Sequence, residues 1–122
     1  MTTSFADFAM QQDAKNTIYL NIIEHCYELI DALKANHAMR FNNVSVDFEI
    51  ESGKKYHKII MISSGNARSV HAFVDKNTGE MYKAASWKAP AKGVRFNLLL
   101  IRDREWLMQN ADCFGGYLYR KG

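Results

Sequence analysis

The first third of the chain repeats apolar residues at helical intervals. From Asp13 to Asn36, apolar side chains recur every three or four residues, which places them on one face of an α-helix. We therefore predict one long amphipathic helix over this range, packed through its apolar stripe. The preceding segment, residues 1–12, is predicted to be a frayed lead-in or a short helical turn. The stripe consists of Ile18, Ile22, Ile23, Cys26, Tyr27, Leu29, Ile30 and Leu33.

The period then changes from helical spacing to strict alternation. Apolar and polar residues alternate from Val44 to Ile50, which predicts a β-strand with one solvated face. The run Ile59–Ile62 is apolar on both faces, so its strand is placed inside the sheet. The segment Asp75–Gly79 is a strong hairpin signal, in which Gly79 supplies a positive φ angle. The four predicted strands are Val44–Ile50, Tyr56–Ser63, Arg68–Asp75 (Val70, Ala72 and Val74 on one face, His71 and Phe73 on the other) and Glu80–Ala85.

The pattern after Pro90 predicts shorter elements. Residues 94–98 alternate as a short strand. Asp103 is predicted to cap a helix that ends near Ala111. The segment Tyr117–Tyr119 either adds an edge strand or packs its aromatic rings against the core.

These elements predict an α+β fold for a single domain, residues 1–122. A long N-terminal helix covers one face of a curved antiparallel sheet of about four strands, because three short connections in a row join antiparallel neighbours. A short helix follows at the C-terminus. The layout is similar to that of cystatin-like and NTF2-like proteins. This similarity rests on element order and carries no function.

Charge is distributed unevenly along the chain. Residues 1–51 carry three Lys/Arg against eight Asp/Glu, a net charge of −5, whereas residues 52–122 carry thirteen against five, a net charge of +8. This polarity favours a polyanionic partner or head-to-tail self-association. No apolar run reaches the roughly 20 residues needed to cross a bilayer, so no membrane role is predicted. Cys26 and Cys113 are predicted to be free thiols in a reducing compartment.

Metal and catalytic motifs are absent from the sequence. The four histidines and two cysteines lack zinc-ligand spacing, although His57 and His71 are expected on adjacent strands. No nucleophile elbow or phosphate-binding loop occurs, and no cofactor is predicted. The acidic residues Asp47, Glu49 and Glu51 are interpreted as the solvated face of a strand. Alternatively, they line a small-ligand pocket or the catalytic pocket of an enzyme of the NTF2-like type.

One basic and aromatic segment is the strongest functional signal: the loop Ser86–Asn97 together with Tyr82 and Lys83 on the strand before it. Lysine and arginine neutralise phosphates, and aromatic rings stack on exposed bases. Three hypotheses follow: the segment binds nucleic acid, it binds a host or phage protein or a second copy of the chain, or it only closes the fold. Its candidate binding residues are Tyr82, Lys83, Trp87, Lys88, Lys92, Arg95 and Phe96, and Arg102 and Arg104 extend the patch.

The same segment carries a family resemblance. The run D-K-N-T-G-E-M-Y-K-A-A-S-W-K-A-P-A-K, from Asp75 to Lys92, and the later G-G-Y-L-Y, from Gly115 to Tyr119, resemble small uncharacterised proteins of tailed bacteriophages. The similarity covers roughly the C-terminal two fifths of the chain. It implies a viral or environmental origin and a cytoplasmic site of action in an infected bacterium. It implies no activity and no catalytic residues. The favoured hypothesis is therefore a non-enzymatic accessory protein that binds a macromolecule.

Overall fold

The computed structural model describes residues 5–41 and 45–119, with the side chains of residues 14–41 and 45–119. Helix α1 spans Phe5–Arg40. It begins eight residues before the predicted start at Asp13, so residues 5–12 are helix and not a frayed lead-in. It also continues past Asn36. Residues 5–40 contain no glycine or proline, the two residues that most disfavour a helix interior, so one continuous helix is favoured.

The buried face of α1 is narrower than the predicted stripe. Ile18 and Tyr27 are 43% and 55% exposed. Ile18 precedes Ile22, the first buried residue among the described side chains of α1, and Tyr27 lies toward the solvent side of the helix. The stripe residues that are buried are Ile22, Cys26, Leu29, Ile30 and Leu33.

A five-stranded antiparallel sheet follows α1 in simple chain order. The predicted meander is confirmed, and the second strand lies inside the sheet as expected. The fourth strand ends two residues earlier than predicted, and the short strand near Phe96 has two residues. The predicted strand start at Val44 lies outside the described residues. The strands are β1 (Asp47–Ser52), β2 (Tyr56–Ser63), β3 (Ala67–Asp75), β4 (Glu80–Lys83) and β5 (Phe96–Asn97).

A β-bulge in β3 alters the predicted alternation. Ile59 pairs with Ala72 and Ile60 with Val70, which leaves His71 as an extra residue between them. The alternation predicted that His71 faces the side opposite Ala72. Instead, His71 packs edge-on against the ring of Phe48, which belongs to the same core cluster as Ala72. The bulge therefore turns His71 toward the helix-covered side of the sheet.

The C-terminal segment completes the core, but the start of its helix and the conformation of its last residues differ from the prediction. Helix α2 spans Ile101–Asn110 and is preceded by Leu100, so Asp103 is not its capping residue. The Asp103 carboxylate instead accepts a hydrogen bond from the Asn97 N–H at 2.7 Å. The segment Gly116–Tyr119 is a short 3₁₀ helix and not an edge strand. Its Tyr117 is buried in the core, as the aromatic-packing alternative predicted, whereas Tyr119 is 71% exposed.

The two faces of the sheet have different surroundings. One face packs against α1 and α2 in a single hydrophobic core that includes Ile22, Ile59 and Leu107. We call the opposite face the open face; it carries Glu49, Glu51, Lys58, Phe73 and Tyr82. The result is the predicted α+β arrangement, a long helix on a curved antiparallel sheet with a short C-terminal helix. In the described part of the chain, no helix combines the length and the apolar character needed to span a membrane.

Candidate nucleic-acid interface

Strand register aligns aromatic and cationic side chains on the open face. Lys58 on β2 pairs with Phe73 on β3, and Phe73 pairs with Tyr82 on β4. Tyr56 lies two residues before Lys58, so the two share a face. Directly opposed side chains in a sheet are in contact range. Three strands therefore bring together residues that are up to 26 positions apart in sequence, from Tyr56 to Tyr82.

The rings on this face form an edge-to-face cluster. The ring centroid of Tyr56 lies 5.7 Å from that of Phe73 and 6.0 Å from that of Tyr82, with interplanar angles of 76° and 82°. This geometry is favourable for aromatic pairs. Phe73 is 2% exposed, whereas Tyr56 and Tyr82 are half-buried. Phe73 thus lies at the buried base of the cluster, and the two tyrosine side chains are partly accessible to solvent.

A tight turn holds Trp87 beside this cluster. Ala84, directly after β4, and Pro90 form an antiparallel bridge that closes a turn around Trp87. Inside the bridge, the N–H of Ala85 donates a hydrogen bond to the carbonyl oxygen of Ala89 at 3.0 Å. Proline has no backbone N–H to donate to a neighbouring strand, so it is tolerated at the edge of a sheet, where Pro90 lies. The turn fixes the backbone on both sides of Trp87 and presents its side chain at the tip.

Lys58 connects Trp87 to the sheet. Its Nζ lies 4.8 Å from the ring centroid of Trp87 and 5.9 Å from that of Phe73. The carboxylate of Glu51 lies 3.6 Å from the same Nζ. A cation over an aromatic face is attracted by the ring quadrupole. The Lys58 side chain is therefore held in place, while 42% of Trp87 remains exposed.

A shallow groove of about 230 Å³ lies next to this arrangement. Tyr56 and Phe73 provide its aromatic lining, and Lys55 Nζ lies 5.4 Å above the Tyr56 ring. Four lysines and one carboxylate line the groove, so its electrostatic potential favours an anion. The charged lining residues are Lys54, Lys55, Lys58, Lys88 and Glu51.

Three of the seven sequence-predicted binding residues lie at this surface. Tyr82 is on the open face, Trp87 is at the tip of the turn, and Lys88 lines the groove. Alternation along β4 places Lys83 on the other face, where its Nζ lies 4.5 Å from the ring centroid of Tyr119. Lys88 and Trp87 are thus adjacent to the aromatic cluster, and Lys83 is not.

The remaining predicted residues lie elsewhere. Phe96 is buried in the core, stacked on Trp106 with a centroid distance of 5.2 Å. Arg95 donates hydrogen bonds to backbone carbonyls, including that of Leu118 at 2.6 Å, so its guanidinium is engaged within the fold. Lys92 is exposed, and its carbonyl oxygen accepts a bond from Arg95 at 3.1 Å. Of the residues thought to extend the patch, Arg102 is exposed and Arg104 Nη1 donates to the Leu98 carbonyl oxygen at 2.8 Å.

Sequence reasoning missed the contribution of β2 and of the turn before it. Tyr56 and Lys58 lie in the second predicted strand, and no binding role is predicted for them or for Lys54 and Lys55. The available signal was the alternation of Tyr56 and Lys58 with buried neighbours, which places both on the face away from the helix.

Cysteine and histidine side chains in the described residues are not arranged as a metal centre, and both thiols are buried. The thiol of Cys113 lies 3.0 Å from Nδ1 of His37, but burial raises the pKa of Cys113 and disfavours a reactive thiolate. Burial likewise raises the pKa of Cys26 to about 12. Both cysteines are free. Within the described segments, no three His, Cys, Asp or Glu side chains are placed to bind one metal ion.

The two histidines on adjacent strands have separate partners. Nδ1 of His57 lies 2.7 Å from the Ser52 hydroxyl, and the His57 ring packs on Tyr19 of α1. Nε2 of His71 lies 2.6 Å from the Tyr117 hydroxyl. Burial lowers the pKa of both histidines, so both are neutral at pH 7. Each of the two rings thus has a hydrogen-bond partner within the fold.

Comparison with known protein families gives one match. The family described as "Family of unknown function (DUF7717)" matches residues 5–120. The chain belongs to the DUF7717 family. The match covers both helices and all five strands, so the open face lies within the shared domain. Searches of curated proteins and of solved structures gave no match.

Proposed function

We propose that this DUF7717 protein binds nucleic acid through the open face and acts without catalysis. The observation that supports the proposal is the lysine-lined groove, whose lining includes Tyr56 and Phe73, beside an exposed Trp87. Lysines neutralise phosphates, and rings stack on bases, so the two components together match the chemistry of a nucleic-acid strand. We call Lys54, Lys55 and Lys88 the groove lysines; all three are exposed.

The resemblance to bacteriophage proteins supports a proposal for the organism and the compartment in which the protein acts. The run from Asp75 to Lys92 contains the hairpin and the turn that present Trp87 and Lys88. We propose that the protein is a phage accessory protein that acts in the cytoplasm of the infected host. The residues that carry the resemblance therefore also build part of the proposed interface.

The salt dependence of nucleic-acid binding tests the proposal. Fluorescence anisotropy of labelled single-stranded and duplex DNA is measured from low to physiological salt. We expect binding at low salt, with affinity falling linearly on a log–log scale. The slope of log affinity against log salt concentration counts phosphate contacts, at about 0.7 for each contact with a single strand. Changing the three groove lysines to Gln should therefore reduce the size of this slope by about 2 for single strands.

A second triple variant provides a control for net charge. Lys15, Lys34 and Arg102 are exposed and lie on the helices, away from the groove lining. Changing these three residues to Gln removes the same charge as the groove-lysine variant. We expect this control to keep most of the slope and affinity. Equal effects of the two variants, or no binding at low salt, would contradict the proposal.

Self-association is a second candidate, because the acidic outer side of α1 complements the lysine-lined groove in charge. Glu24, Glu28 and Asp31 are exposed along this side, and Leu20 and Tyr27 add exposed apolar surface. An acidic, partly apolar helix could contact the basic groove of another copy. Light scattering over a range of concentration and salt tests this candidate. A monomer at low salt and high concentration would rule it out.

A further inference from the structure

We propose that Trp87 is a stacking platform for an unpaired nucleobase, which makes single-stranded nucleic acid the preferred ligand. This inference rests on the function proposed above and specifies its ligand. Three features carry it: the fixed position of the turn, the cation behind the ring, and the cationic groove beside it.

The Trp87 ring is held in place before any ligand arrives. The hydrogen bond between Ala85 and Ala89 closes the turn, and Lys58 Nζ lies 4.8 Å from the ring centroid. Lys58 is in turn held near the Glu51 carboxylate. Because these contacts restrict the side chain, stacking on it costs less conformational entropy than stacking on a free indole. The exposed 42% of Trp87 leaves surface on which a planar ring can stack.

The surrounding charge indicates where the backbone of a strand would lie. Lys88 follows Trp87 directly in the chain and lines the groove. Lys54 and Lys55 line the same groove and belong to the β1–β2 turn. A base on Trp87 would therefore have its phosphates within reach of Lys88, with the groove continuing toward Lys55. A duplex keeps its bases stacked internally, so it cannot offer an unpaired base to Trp87 without disruption.

A single-tryptophan protein allows the stacking to be observed directly. The chain has two tryptophans, and Trp106→Phe leaves Trp87 as the only indole while keeping a ring against Phe96. Its fluorescence is titrated with a short oligothymidylate, with an abasic strand of the same length, with a duplex and with polyphosphate. We expect quenching by the oligothymidylate alone. We also expect it to bind about 5- to 150-fold more tightly than the abasic strand, the range for stacking of one base.

Two variants made in the otherwise unchanged chain distinguish stacking from general surface effects. Trp87→Ala should lower the affinity for oligothymidylate to that for the abasic strand. Tyr119→Ala is the matched control, since Tyr119 is 71% exposed and also has a lysine, Lys83, over its ring. We expect this control to leave the preference unchanged. Circular dichroism checks that each variant is folded, and the quenching experiment decides the question if Trp87→Ala is not.

The outcomes separate the two proposals. Equal affinity for the oligothymidylate and the abasic strand would overturn the stacking platform while leaving binding to phosphate intact. A preference that survives Trp87→Ala, or a preference for the duplex, would also overturn it. Absence of binding to every strand and to polyphosphate at low salt would overturn the proposed function together with this inference.

Discussion

His71 and Tyr117 form a buried hydrogen bond, with 2.6 Å between the imidazole Nε2 and the hydroxyl oxygen. The bond joins the bulge of β3 to the 3₁₀ helix near the C-terminus. Burial lowers the pKa of His71 to about 4, so its neutral ring accepts a hydrogen bond from the Tyr117 hydroxyl. Burial also raises the pKa of Tyr117, which keeps its hydroxyl protonated. The C-terminal segment is therefore attached to the sheet through two uncharged groups.

This pKa gives a specific dependence of stability on pH. The pKa of His71 is about 4 in the folded protein, against an ordinary value of 6.5. As pH falls, His71 is therefore protonated at a higher pH in the unfolded chain than in the folded protein. The stabilisation is complete above pH 6.5 and is lost between pH 6.5 and pH 4. A difference of this size corresponds to about 3 kcal/mol of unfolding free energy.

Urea unfolding across this pH window, for the wild type and for His71→Gln, measures the effect. The variant lacks this titration, whereas the carboxylates and the other histidines titrate in both proteins. We expect the free-energy difference between the two proteins to shrink as pH falls toward 4. A difference that stays constant across the window would contradict the assignment.

Removal of the Tyr117 hydroxyl tests the same bond from the other side. Tyr117→Phe leaves the buried Nε2 of His71 without its hydrogen-bond donor. We expect a loss of about 1–3 kcal/mol in unfolding free energy, the cost of an unsatisfied buried polar group. Tyr119→Phe removes a hydroxyl from an exposed tyrosine and should change stability by less than about 0.5 kcal/mol. Similar losses in the two variants would show that the hydrogen bond is not the cause.

Two glycines with the same φ angle separate steric crowding from the strain of a positive φ. Gly65 and Gly79 both have φ of 78°. A Cβ on Gly79 would lie 3.0 Å from Cγ of Leu99 and 3.1 Å from Oδ1 of Asn97, whereas a Cβ on Gly65 would meet no atom within 4 Å. We expect Gly65→Ala to cost about 1 kcal/mol and Gly79→Ala about 1–3 kcal/mol more. Thermal unfolding of both variants measures this difference, and equal losses would contradict the crowding.

The core placement is tested by shortening one buried side chain on the helix that covers the sheet and one on the open face. Ile22 on α1 and Ile60 on β2 are both fully buried, but only Ile22 belongs to the cluster between helices and sheet. We expect Ile22→Ala and Ile60→Ala each to cost about 2–5 kcal/mol. Leu20→Ala, on the exposed side of α1, should cost less than about 0.5 kcal/mol. A surface-sized effect at Ile60 would mean that the open face is not packed there.

The repeating patterns of the sequence were sufficient for the architecture but not for its irregularities. Helical spacing located α1, and alternation with short turns located β1 to β4. The positive φ of Gly79 followed from its turn and is confirmed. The bulge at His71 was not predictable from the sequence, because no local residue pattern marks the position of the extra residue. The bulge is favoured instead by contacts of His71 with Phe48 and Tyr117, which are distant in sequence.

The candidate site was predictable only where it is continuous in sequence. Trp87 and Lys88 lie in one run, so their clustering was visible. The contribution of Lys58 depends on the pairing of β2 with β3 and β3 with β4. Conversely, Arg95 is in the same run as Trp87, yet tertiary hydrogen bonds direct its side chain into the fold. Proximity in sequence therefore overstated the role of Arg95 in binding and missed the role of Lys58.

Arg95 and Lys88 should consequently differ in what their loss affects. Arg95 donates hydrogen bonds to the carbonyl oxygens of Leu118, Lys92 and Gly93, so it ties the loop after β4 to the C-terminal segment. We expect Arg95→Ala to cost about 1–3 kcal/mol in unfolding free energy and to leave the salt slope of nucleic-acid binding unchanged. Lys88→Gln should leave stability unchanged and reduce the slope by about 0.7 for single strands. Urea unfolding and anisotropy titrations of both variants measure the two quantities. If Arg95→Ala reduced the slope without loss of stability, Arg95 would be a phosphate contact, and the interface would extend along the loop as the sequence alone suggested.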